Sequence, residues 1–199
     1  MEIFREDYWA TPIWHFDIPI EEVDYNKVAN ECYLEKSKSE GRIRSNENGW
    51  QSNDIYPNPN IPHISNLIRV INAHSKTIFK DYGVRKEINL GVDNSWININ
   101  FPGSSNILHT HDGALSGTYY VKAPKNSGEI FLHNNSIMQH INNTYLDINN
   151  KITCSQVKYE PVAGRVLIFP GWVPHHVEIN NSNEDRVSIA FNFNGKYNS

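Results

Sequence analysis

Cysteine is scarce in this chain, with only 2 among 199 residues. Cys32 and Cys154 lie far apart and form no Cys-x-x-Cys pair. That excludes a disulfide framework and makes an intracellular protein the default expectation. No apolar run approaches the roughly 18 residues needed to span a bilayer, so no membrane partner is expected. Basic residues are in no excess: 18 Lys and Arg stand against 22 Asp and Glu, for a formal net charge of −4. A nucleic-acid binder working by phosphate neutralisation would normally show a basic patch or stripe, so no nucleic-acid partner is expected either. Internal repeats and long linkers are also missing, which points to one domain over 1–199. The segment Met1–Asp7 is too acidic and polar to read as a secretory signal.

Apolar material is ample. Hydrophobic residues make up 39% and aromatics 12% of the chain, enough for a globular core and too much for a disordered one. Asn is abundant, notably over 134–150 and 180–183, a compositional drift that says little about function.

The first part of the chain carries the helical signals. Glu21 to Lys38 has apolar or aromatic residues at Val23, Val28, Cys32 and Tyr33. In Ile61 to Tyr82, the residues Ile64, Leu67, Ile68, Ile71, Ile78 and Phe79 recur at helical spacing. Pro62 suits a first turn and Gly83 a stop. The Asn-, Gly-, Pro- and Ser-rich stretch from Ser45 to Pro62 reads as a loop, with a plain surface loop expected over a site cover. Beyond about residue 86 the pattern becomes short β-like runs: Trp96–Phe101, Leu115–Val121, Glu129–Leu132, Gln156–Tyr159, Arg165–Phe169, His176–Ile179 and Arg186–Phe193. Turn signals at Pro102-Gly103, Pro124–Gly128, Ala163-Gly164 and Asn180–Asp185 separate them. The expected architecture is mainly β with N-terminal helices: helical support over 1–85, then a jelly-roll core over 86–197.

His109-Thr110-His111 places two imidazoles on one face of an extended segment, because strand side chains alternate. His175-His176 follows far along the chain, just after Trp172-Val173-Pro174. Neutral imidazole is the commonest protein ligand for divalent transition metals, and a sheet that folds back on itself could bring these residues together. With nine His in the chain, a His-x-His pair alone is weak evidence. Arg186 and Ser188 share the polar face of the last run, opposite Val187, Ile189, Phe191 and Phe193. Arg186 offers a rigid charged fork for a carboxylate, with a hydroxyl beside it. The bland alternative is a surface arginine paired with Glu184 or Asp185.

Taken together, Phe101-Pro102-Gly103 with the His cluster after it, Pro174-His175-His176-Val177 and Arg186-Val-Ser resemble the prolyl-hydroxylase branch of the 2-oxoglutarate oxygenases. Gly49-Trp50-Gln51-Ser52, Ser95-Trp96-Ile97-Asn98, His109-Thr-His111, Leu115–Tyr120 and Ser127-Gly128 resemble Fe(II)/2-oxoglutarate oxygenases of bacteria and cyanophages. The resemblance runs from Thr11-Pro12-Ile13-Trp14 to Phe191-Asn192.

It implies a double-stranded β-helix, the cofactors Fe(II), 2-oxoglutarate and O2, and hydroxylation of a peptide (prolyl among them) or small-molecule substrate. It implies His175 as the distal iron ligand and Arg186 as the anchor of the 2-oxoglutarate C5 carboxylate. Ser188 and Tyr120 are implied as further contacts, with Tyr119 as the alternative, and Asn98 as a cavity residue. The sequence departs from the usual His-x-Asp/Glu pattern. In one register His111 is the first ligand and Gly113 stands at the acid position; in the other His109 and His111 form a three-His site with His175. Asp112 is adjacent but should point to the opposite face. The expected compartment is the cytoplasm, that of the host if a phage encodes the chain, and homodimer formation stays open. Two other readings compete: a cupin-type three-His metal enzyme working without 2-oxoglutarate, and a jelly roll with no enzymatic role.

Overall fold

In the computed structural model the described residues are 10–135, 150–151 and 153–197. Met1–Asp7 and most of the Asn-rich 134–150 stretch therefore lie outside them.

Two helices brace one side of the molecule. The first, α1 (Tyr25–Lys38), starts where the Asp24 carboxylate accepts hydrogen bonds from the Asn26 and Lys27 amides at 3.0 and 3.3 Å. Helix α2 (Pro62–Asp81) carries Pro in its first turn, but its own cap residue, Ile61, has no side chain able to accept. The carboxylate comes instead from α1: Glu31 accepts from the His63 and Ile64 amides at 3.0 and 2.8 Å. One acid thus satisfies two orphan donors, complements the helix dipole and ties the two helices together. Glu31→Ala is expected to cost about 1–2 kcal/mol, the usual cost of losing such a cap. Differential scanning calorimetry should show a Tm lower by a few degrees, with Glu31→Gln retaining part of the difference. Gly83, at φ +80°, ends the helix in a conformation that suits glycine.

The strands form two antiparallel sheets. In chain order they are β1 (Trp14–Asp17), β2 (Asn46–Glu47), β3 (Trp50–Gln51), β4 (Ile88–Asn100), β5 (Ser105–His109), β6 (Leu115–Lys122), β7 (Ile130–His133), β8 (Gln156–Tyr159), β9 (Arg165–Pro170), β10 (His175–Val177) and β11 (Arg186–Tyr197). The major sheet has the order β1-β9-β6-β11-β4-β3 and the minor sheet β2-β5-β10-β7-β8. The alternation of β11 divides its side chains between two environments. Val187, Ile189, Phe191 and Phe193 are fully buried in the core that contains Val28, Cys32, Ile64, Leu67 and Ile71 of the helices. Arg186, Ser188 and Ala190 line the space between the sheets. A smaller apolar cluster of Ile130, Leu132, Leu167, Phe169 and Val173 closes part of that space.

Several boundaries differ from the sequence reading. Strand β4 begins at Ile88, eight residues before Trp96, and β11 runs on to Tyr197, because their ends pair with each other from Ile88↔Tyr197 onward. Strand β10 begins at His175, which sits opposite both His109 and Leu132. The 45–62 stretch is not a plain surface loop. Its β2 and β3 add to the two sheets, and Trp50, Gln51, Ser52 and Ile55 are buried. The helical N-terminal part also contributes β1, paired along β9.

Candidate metal and oxyanion site

Three imidazoles meet between the sheets. His175 on β10 faces His109 at the end of β5, and this register brings their ring centroids to 4.2 Å. His111 lies beyond the end of β5, where its amide donates to the Gly171 carbonyl at 2.9 Å. Its ring centroid is 4.9 Å from that of His109 and 5.0 Å from that of His175. One ligating nitrogen from each ring falls within 4.8 Å of the others. Asp112 is exposed and outside this cluster. Gly113 supplies no donor, and a Cβ there would meet the Leu115 carbonyl at 2.7 Å and Asn192 Cβ at 3.0 Å.

Two of the three rings have their tautomer set by the backbone. Nδ1 of His109 lies 2.7 Å from the Ile107 carbonyl, and Nδ1 of His175 lies 3.0 Å from the Val173 carbonyl. A carbonyl can only accept, so each Nδ1 carries the proton and each Nε2 keeps its lone pair. Burial, the largest influence on each, lowers all three pKa values: His111 to about 4, His175 to about 3, and His109 in the same direction. All three are therefore neutral near pH 7, the form that donates to a metal. Trp96 and Phe169 flank the group, with centroids 5.4 Å from His111 and 4.8 Å from His175.

Further into the same cavity lies Arg186, only 2% exposed. Its Nη1 donates to the carbonyls of Ser127 and Gly128 at 2.6 and 3.0 Å. Gly128 has φ +91°, and a Cβ there would come within 2.9 Å of Nη1 and collide with the Glu178 carbonyl. This close approach therefore requires glycine. Neither neighbouring acid reaches Arg186: Glu184 pairs with Lys122 at 2.8 Å, and Asp185 accepts from Tyr33 at 3.1 Å. Among the described residues the guanidinium is a buried cation without a carboxylate partner, a costly state unless a ligand supplies one.

The major-sheet register explains what surrounds Arg186. Ser188 sits opposite both Asn98 and Tyr120, so the three point to the same side, into the cavity. Tyr119 turns the other way into the helix-backed core, so of the two tyrosines Tyr120 is the cavity residue. Burial pushes the Tyr120 phenol up to about 12 while Arg186 draws it down, so it stays a neutral donor. Among the described residues Asn98 Oδ1 is buried without a hydrogen-bond partner. All seven residues singled out in the sequence (Asn98, His109, His111, Tyr120, His175, Arg186 and Ser188) line this one cavity. Sequence reasoning missed Trp96, Thr118 and Phe169 as lining residues. For Trp96 a signal existed, since it lies two residues from Asn98 on the same strand.

Comparison with known proteins gives a consistent picture. Residues 94–192 match a family model described as "Putative 2OG-Fe(II) oxygenase". No curated protein is matched. Among solved structures, a Pseudomonas putida prolyl-4-hydroxylase superposes with a TM-score of 0.61 at 15% identity, covering 91% of each chain. A viral collagen prolyl hydroxylase from Paramecium Bursaria Chlorella virus-1, solved with 2-oxoglutarate, has a TM-score of 0.58 at 14% identity, covering 91% of this chain and 94% of its own. HygX from Streptomyces hygroscopicus, solved with nickel and 2-oxoglutarate bound, has a TM-score of 0.58 at 9% identity, covering 92% and 83%. At such identities the likeness is one of fold, the double-stranded β-helix.

Proposed function

Since this chain belongs to the 2OG-Fe(II) oxygenase family, an oxidoreductase family that uses Fe(II), 2-oxoglutarate and O2, we propose that His109, His111 and His175 hold the iron and that Arg186 anchors the co-substrate. The observation that carries this reading is a buried, carboxylate-free arginine in the same cavity as three neutral imidazoles with converging nitrogens. Each half explains the other. The imidazoles fit a divalent transition metal, and the guanidinium fits the far carboxylate of a dicarboxylic acid chelated at that metal. Ser188 and Tyr120 add hydroxyl donors on the Arg186 side, and Asn98 completes that wall.

When bound, iron with 2-oxoglutarate and O2 supplies the oxidising chemistry, coupling substrate oxidation to release of succinate and CO2. The chain's part is to orient and shield. The backbone carbonyls of Ile107 and Val173 fix two ligand rings, those of Ser127 and Gly128 aim the arginine, and Trp96 and Phe169 keep the metal end apolar. The substrate in this proposal is a peptide side chain, prolyl residues included, or a small molecule, with hydroxylation as the outcome.

Anaerobic addition of Fe(II) and then 2-oxoglutarate to the apo-protein tests the proposal. The expected result is a weak visible charge-transfer band that saturates with one equivalent of each, followed by succinate formation on exposure to O2. Iron bound without any band would instead favour a three-His metal enzyme that works without 2-oxoglutarate.

A further inference from the structure

One flank of the cavity lies outside what 2-oxoglutarate explains, and its reading rests on the function proposed above. Alternation along β4 sends Ile97 and Ile99 into the helix-backed core and Trp96 and Asn98 into the cavity. Strand β3, last in the order of the major sheet, extends that face. Trp50, opposite Ile99, joins the core, so Gln51, opposite Asn98, faces the cavity side. The Arg42 amide donates to the Gln51 carbonyl at 2.8 Å, which runs this segment alongside β3. There the Arg42 guanidinium lies over the Trp96 ring, 6.0 Å from its centroid, and Trp96 in turn lies 5.4 Å from His111. Arg42, Gln51 and Trp96 thus form a flank from the sheet edge to the metal end. Asn98 stands between Ser188 on the co-substrate side and Gln51 at the edge.

The hydrogen-bonding capacity of this flank is unfilled. Gln51 is only 3% exposed. Among the described residues its Oε1, like Oδ1 of Asn98, is buried without a partner, a costly state unless a donor reaches it. At neutral pH 2-oxoglutarate has two carboxylates and a ketone, all of which only accept, and O2 carries no proton either. The missing donor must therefore come from the molecule that is oxidised. Arg42 offers the opposite capacity. Its Nη2 donates to Asp54 at 3.0 Å, and among the described residues its Nε is buried without an acceptor.

Two unfilled acceptors and a cationic donor side by side match a group that is itself both donor and acceptor. We propose that this flank binds an amide of the primary substrate, with the N–H given to Gln51 and Asn98 and the carbonyl held by Arg42. The substrate is then a peptide segment and not an amide-free small molecule. A prolyl residue has no N–H of its own, so in a prolyl substrate the donor is the amide of a neighbouring residue. The amide sits on the flank and not on the metal, so it takes no coordination position there.

The test adds a library of acetylated, amidated pentapeptides, randomised at each position, to the protein loaded with Fe(II) and 2-oxoglutarate in air. Its ester counterpart, which keeps the carbonyls but lacks the backbone N–H groups, is run beside it. The peptide library is expected to speed succinate formation and to yield peptides heavier by one oxygen atom in mass spectra. The ester library is expected to do neither. Gln51→Met keeps the side-chain length and should raise the peptide concentration for half-maximal succinate formation by about threefold to tenfold. Arg42→Met is the second variant, with a rise of at least tenfold, as for a bond to a charged group. In both, the anaerobic charge-transfer band should still form, which separates a lost substrate contact from a lost fold.

A band with neither a succinate response nor an oxidised peptide overturns this inference alone. So does an ester library accepted as readily as the peptides, or an unchanged half-maximal concentration in both variants. Absence of the band overturns the proposed function and this inference with it.

Discussion

Arg186→Leu is expected to raise the 2-oxoglutarate concentration needed for half-saturation by about 30- to 5,000-fold, the span that a loss of 2–5 kcal/mol implies. The size follows from where the guanidinium sits. It is 2% exposed, it lines the cavity, and among the described residues only Nη1 is engaged, by two backbone carbonyls. A carboxylate arriving there meets a charge whose desolvation cost has already been met in folding, so most of the pairing energy appears as affinity. Leucine removes the charge and leaves the Ser127 and Gly128 carbonyls without their donor, which costs about 1–3 kcal/mol of stability. Fe(II) affinity measured without 2-oxoglutarate should stay near that of the wild type, which separates a lost anchor from a lost fold. Arg186→Lys keeps the charge but not the planar fork, and its half-saturation should fall between the two. An unchanged titration in the leucine variant would remove Arg186 from the site and leave a three-His metal protein.

The sequence marked this arginine only in outline. Alternation along β11 put Arg186 and Ser188 on one face, and the sheet keeps them there. Whether that face was solvent or cavity could not be read locally, because Glu184 and Asp185 are ready partners in the chain. The fold takes both acids away, one to Lys122 and one to Tyr33 of α1, across 152 residues in the second case. The choice between Tyr119 and Tyr120 was equally closed to inspection. Adjacent strand residues face opposite sides, and only the pairing of Tyr120 with Ser188 says which side is inward.

Element length governed the rest. Helix α2 was legible because eight of its residues are buried along one stripe. Strands β2 and β3, of two residues each, are too short to show a period of two, and their Asn- and Gly-rich setting reads as loop. The first half of β4 carries Asn89, Asp93 and Asn94, which blur its alternation; it is a strand because β11 pairs along its whole length. The His cluster shows the same limit. Strand geometry accounts for His109, which ends β5, but the strand has stopped before His111. What places His111 is a backbone bond to Gly171, 60 positions away, and no local pattern encodes it.

That placement makes the three imidazoles separable by experiment from the neighbouring acid. His175→Ala and His109→Ala are each expected to weaken Fe(II) binding by more than 100-fold, beyond the 10- to 100-fold that loss of an outer-shell partner costs. Each removes one of three convergent nitrogens, and each removed ring is one whose tautomer the backbone had fixed. His111→Ala should match them, although among the described residues no carbonyl orients its ring as the other two are oriented. Asp112→Asn should leave Fe(II) affinity within about twofold, since Asp112 is exposed and stands outside the cluster. Competition with a chelating metal indicator, on protein shown by circular dichroism to be folded, reads all four variants on one scale. A loss in Asp112→Asn equal to that in the histidine variants would mean that 110–113 turns inward when metal binds. The donor set would then contain a carboxylate.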